Sequence, residues 1–98
     1  SSIKRNFFYW RFYKVTFIKI INNLEKYKKA FISALNIDKR KFSQNLKYNE
    51  IPEWDSIGHM TLISSLENEF NISIENDDVL DFSSFKQGIK ILKKYKVN

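Results

Sequence analysis

At 98 residues the chain is long enough for one small domain and too short for a deep, enclosed active site. It has no cysteine, one histidine and two glycines, which excludes a disulfide framework, a cysteine nucleophile, a multi-histidine metal cluster and a glycine-rich phosphate loop. The net charge of +6 invites a nucleic-acid partner, but residues 1–20 supply five basic side chains and no acid, while the rest is nearly balanced with 12 basic and 11 acidic ones.

Residues 1–20 form a distinct segment. Seven are aromatic: Phe7, Phe8, Tyr9, Trp10, Phe12, Tyr13 and Phe17. Ile3, Phe7, Trp10, Phe17 and Leu24 fit one helical stripe, whereas Phe8, Tyr9, Phe12 and Ile18 fall elsewhere on the wheel. The apolar stretch from Phe7 to Ile21 is interrupted by Arg11, Lys14 and Lys19 and is shorter than the roughly 20 residues of a membrane span. It is also a poor signal peptide, so no transmembrane segment and a cytoplasmic location are expected. The segment reads as an appended basic aromatic extension, with the domain proper at 21–98. Its aromatic residues are expected to promote self-association. The alternative is a nucleic-acid or membrane-surface contact confined to this segment.

A first helix is predicted from Asn22 to Leu35, with Leu24, Tyr27, Phe31, Ile32 and Leu35 at three- and four-residue steps. A polar connection follows to Glu53. Its proline, Pro52, disfavours helix at the residue before it, so a new element is expected just after. Asp55 is a good N-cap for a helix from Ser56 to Phe70, with Leu62, Ile63, Leu66 and Phe70 inward and Ile57, Met60 and Glu67 on another face. Asn71 can end that helix in a left-handed conformation. A short helical turn is predicted at Asn76 to Leu80. A last helix, capped by Ser83 or Ser84, runs to about Tyr95 with Phe85, Ile89 and Leu92 inward. The fold class is all-α: an irregular four-helix bundle of three longer helices and one short one. The expected core is Leu24, Phe31, Leu35, Leu62, Leu66, Phe70, Ile74, Phe85, Ile89 and Leu92.

Residues 50–81 hold nine acids and no lysine or arginine. A block of one sign is ordinarily a solvated face, and it is also what a basic partner would recognise.

The stretch from Trp54 to Leu92 resembles the acyl carrier protein family. Asp55-Ser56-Ile57 stands where the family has Asp-Ser-Leu at a helix start. Leu62 and Leu66-Glu67-Asn68-Glu69-Phe70 are similar to its Leu and Leu-Glu-x-x-Phe. Asn71-Ile72-Ser73-Ile74, followed by acids, is similar to its polar-Ile-x-Ile loop. With the first helix included, the resemblance covers about residues 22–95.

The resemblance implies that Ser56 is the attachment site of a covalent 4′-phosphopantetheine arm. The arm would carry acyl or aminoacyl groups as thioesters and supply the sulfur this sequence lacks. It implies a carrier and not an enzyme, with no catalytic residue and no metal ligand. The implied partners are a phosphopantetheinyl transferase, an acyl or aminoacyl ligase, and acyltransferases or synthases. The implied partner-recognition residues are Asp55, Ile57, Met60, Glu67, Ile74, Asp77 and Asp78. His59 is expected to be a packing or surface residue. Where fatty-acid carriers typically have another acid, this chain has Gly58-His59-Met60. That pattern looks more like stand-alone carriers of specialised biosynthetic pathways. The alternatives are a housekeeping fatty-acid carrier and an unmodified carrier-fold interaction protein.

Overall fold

Tyr27, Phe31 and Leu35 recur every four residues and bury one stripe of the first helix, α1, at 22–35. The computed structural model describes residues 22–97, so the expectations for the extension lie outside the described residues. Three further helices follow: α2, Ser56–Phe70; α3, Asn76–Asp81; and α4, Phe85–Lys94. No strand occurs among the described residues; one isolated antiparallel bridge joins Lys47 to Ser84. The irregular four-helix bundle read from the sequence is the observed fold.

The helix ends follow from local chemistry. Asp55 accepts from the Gly58 amide and starts α2, and Ser84 accepts from the Gln87 amide and starts α4. Asn71 closes α2 at φ 52°, its amide bonded to the Glu67 carbonyl. Asn36 closes α1 in the same left-handed region, at φ 52°. The long connection from α1 to α2 is pinned to the start of α4. The Tyr48 amide donates to the Ser83 carbonyl, and the Phe85 amide donates to the Leu46 carbonyl.

α1 and α2 run antiparallel. Lys26 pairs with Glu69 at 3.9 Å and lies over the Phe70 ring, whereas Leu35 sits beside Gly58 at the other end of α2. The core between them and α4 is aromatic. Tyr27 stacks on Phe85 at 4.5 Å, and Phe31 meets Trp54 and Phe85 edge-on at 5.0 and 5.2 Å. Such pairs add about 0.5–1.5 kcal/mol each beyond burial alone. Tyr27 donates to the Phe85 carbonyl at 2.7 Å, and burial pushes its phenol well above the usual tyrosine range.

Three expected core positions differ. Leu24, in the first turn of α1, is 44% exposed, one turn outside the buried stripe that starts at Tyr27. Phe70, at the end of α2, is half-buried under Lys26. Ile89 is half-buried too, and Ile91 takes the inner position. A side chain at Gly88 would overlap Tyr27 and Phe82, so the close approach at this glycine turns α4 toward the 85–88–91–92 face. The connections supply core residues that the helical pattern does not reveal: Ile37, Leu46, Trp54 and Phe82.

Candidate functional site

Ser56 is exposed at the first residue of α2. The preceding Asp55 is extended, at φ −100° and ψ −167°, and its Oδ1 accepts from the Gly58 amide at 2.8 Å. The cap therefore holds the first turn while the serine hydroxyl faces solvent. The start of a 15-residue helix also carries partial positive charge, which favours a phosphodiester there.

Gly58 sets the packing behind that turn. A Cβ there would overlap the Glu53 carbonyl oxygen and lie 3.2 Å from Leu35 Cδ2. Only a residue without a side chain lets the chain leading into α2 lie this close to the helix.

Ile57 is 77% exposed and Met60 59%, and on α3 Leu80 is 84% exposed. Ile57 and Met60 thus leave large apolar side chains in water within the first turns of α2, next to the exposed serine. Leu80 escapes the sequence reading, although a signal exists. Val79 points partly inward, and adjacent residues on a helix cannot share a face.

The acids divide into two groups. Asp77 is exposed. Glu67 instead accepts from the Ile74 amide at 2.8 Å, three turns along α2 and about 16 Å of helix rise from Ser56. Asp78 is buried, accepting from Lys94 Nζ at 2.7 Å and from the Tyr95 hydroxyl at 2.6 Å. These donors, Lys94 first, hold its carboxyl below the usual carboxylate range. Asp78 in turn raises the Lys94 ammonium. Tyr95 oxygen accepts from the Glu75 amide as well. Ile74, expected both in the core and at the partner surface, is 7% exposed and belongs to the core. The structure thus brings Asp55, Ile57 and Met60 together at Ser56. It commits Glu67, Ile74 and Asp78 to holding the loop and α3 in place, because their side chains already have internal partners.

His59 packs, as expected, but in a specific way. The Trp54 indole N–H donates to His59 Nδ1 at 3.0 Å, and His59 Nε2 lies 2.8 Å from the Val79 carbonyl oxygen. The ring sits among Tyr48, Phe82 and Trp54. No group of three or more potential metal ligands occurs among the described residues. No described helix is long and apolar enough to cross a membrane.

No protein-family model matches the chain. It is 29% identical over 70 residues to an acyl carrier protein of Chlorobium phaeobacteroides, a match covering 71% of this chain and 90% of that protein. With the capped serine at the head of α2 and the four-helix arrangement, that similarity spans most of the described residues: the chain resembles the acyl carrier protein family well beyond its short serine motif.

Proposed function

We propose that this chain is a carrier whose Ser56 takes a 4′-phosphopantetheine arm. The observation that carries the reading is the exposed Ser56 behind the Asp55 cap, within a match to an acyl carrier protein. The fit of the arm is supported on both sides. A phosphodiester on Ser56 Oγ would lie at the positive end of α2, and the pantetheine beyond it, whose dimethyl group is apolar and whose amides and hydroxyl can stay in water, would start beside the exposed Ile57 and Met60. When attached, the arm supplies a thiol that can hold an acyl or aminoacyl group as a thioester. The chain's own residues act otherwise. Asp55 fixes the first turn, Gly58 allows the close approach behind it, and the exposed apolar side chains offer contact to enzymes.

On this reading the protein is not an enzyme. Its partners are a phosphopantetheinyl transferase, a loading ligase, and acyltransferases or synthases. Asp55, Ile57, Met60, Asp77 and Leu80 form the surface they meet. Charge there would set mainly the encounter rate, and the apolar residues the lifetime of contact. Gly58-His59-Met60 favours a specialised biosynthetic pathway; the cytoplasm is the location that goes with this reading. Residues 1–20 act as an appendage to the carrier domain.

The test is intact mass after incubation with a phosphopantetheinyl transferase and coenzyme A. One phosphopantetheine addition is expected in the native chain and none in Ser56→Ala. The substitution should leave folding within about 0.5 kcal/mol, as exposed changes do. A native chain that is never modified would mark an unmodified interaction protein of the same fold. Addition surviving in Ser56→Ala would place the arm elsewhere.

A further inference from the structure

We propose that His59 is a positioning residue that ties the start of α2, where Ser56 sits, to α3, and that it does so only as a neutral ring protonated on Nε2. The contact stands without any assumption about modification. Its functional consequence rests on the reading of Ser56 given above.

The tautomer follows from Trp54. Its side chain is 0% exposed, and an indole N–H can only donate. The acceptor at 3.0 Å is His59 Nδ1, so Nδ1 must present its lone pair. Nε2 then carries the proton and donates to the Val79 carbonyl at 2.8 Å. A relay of three groups results: the residue before the Asp55 cap, the first full turn of α2, and the middle of α3. A second proton, on Nδ1, would set N–H against N–H and leave the buried indole without its acceptor.

The surroundings offer the ring few other charges. The long connection contributes Tyr48, with ring centroids 5.3 Å apart. The link after α3 contributes Phe82, at 5.8 Å. At the start of α2, the Asp55 carboxylate is engaged with the Gly58 amide. On α3, Asp78 is engaged with Lys94 and Tyr95, and Asp81 accepts from Gln87. Asp77 and Asp81 are the exposed carboxylates of that helix.

α3 has six residues, too few for a helix that persists unaided. Its placement therefore depends on contacts such as this one. Leu80 follows Val79 directly, whereas Ile57 and Met60 flank His59 on α2. The relay thus fixes the exposed Leu80 of α3 relative to Ile57, Met60 and Ser56 of α2. A partner that reads both meets a preformed surface and loses less entropy on binding. Acid, or loss of the ring nitrogens, would uncouple the two helices.

The experiment uses the full chain with Trp10→Phe, which leaves Trp54 as the one indole. The Trp54 indole N–H resonance and the amide protection of residues 76–81 are followed by NMR as the pH is lowered from neutral to the acid limit of the folded chain. In the otherwise native chain the indole resonance should move with acid, and protection of α3 should fall roughly tenfold more than that of α2. His59→Gln retains an acceptor and a donor but does not titrate; its α3 should stay protected with a flat pH profile. His59→Phe keeps an aromatic ring and neither polar group; its α3 should be poorly protected at every pH. No change in the native chain down to the acid limit of its folded state, or equal α3 protection in His59→Gln and His59→Phe, would overturn the proposal. The same profiles should appear in Ser56→Ala, which cannot be loaded, so failure of the relay and failure of the attachment reading are separable.

Discussion

α3 is held on two sides by opposite kinds of chemistry. Toward α2 it receives a neutral imidazole, walled by aromatic rings and backed by a buried indole. Toward α4 it sends a carboxylate to an ammonium and a phenol. The first side is a chain of hydrogen bonds between neutral donors and acceptors, and the second is an ion pair. The first depends on burial and packing, so its cost of failure is large. The second ends on Lys94, whose side chain is 63% exposed, so water can take over much of that contact.

The sharpest way to break the comparison is Trp54→Ala. It removes the buried ring that meets Phe31 edge-on and the donor that sets His59. A loss of about 3–5 kcal/mol is expected, read by denaturant unfolding. A loss below about 1 kcal/mol would show that the α2 side does not rest on this ring. Next comes Gly58→Ala. The added Cβ meets backbone at the Glu53 carbonyl, which no rotamer change relieves. The strain of about 1–3 kcal/mol should exceed the roughly 1 kcal/mol that alanine contributes to a helix. The melting temperature should fall; a rise would mean that the segment before Asp55 yields easily.

The smallest effect is expected on the charged side. Asp78 has its folded-state pKa lowered, chiefly by Lys94 and then by Tyr95. Its stabilisation is therefore fully present above the ordinary carboxylate range and lost as pH falls through the depressed folded value. Asp78→Asn should melt below the native chain at neutral pH, and the two should converge as pH drops below about 4. A gap that persists unchanged in acid would assign the contribution of Asp78 to shape instead of charge.

The contrast also explains what the sequence made legible. Asp55, Ser84 and Asn71 act within one helical turn of themselves, so spacing alone reveals the helix boundaries. The stripe Leu62, Ile63 and Leu66 declares itself in the same way. Trp54, Leu46 and Phe82 are single apolar residues in irregular segments and carry no period. The partners of the polar groups are equally hidden. Val79 lies 20 residues from His59, and Lys94 lies 16 from Asp78. An acid committed to such a contact looks, in sequence, like any acid on a solvated face. At the site, Ser56, Ile57 and Met60 were legible because they precede or fall outside the apolar stripe. Leu80 joins them only when the fold brings α3 alongside.

The hydrogen bond from Tyr27 to the Phe85 carbonyl spans 58 residues and joins the first described helix to the last. Tyr27 and Phe31 come from one end of the sequence, and Phe85, Ile91 and Leu92 from the other, yet they form a single aromatic and aliphatic mass. A piece lacking either helix would present that entire surface to water. For dividing the molecule into fragments, or fusing it to another protein, the span from Tyr27 to Leu92 is indivisible, and safe cut points lie only outside it.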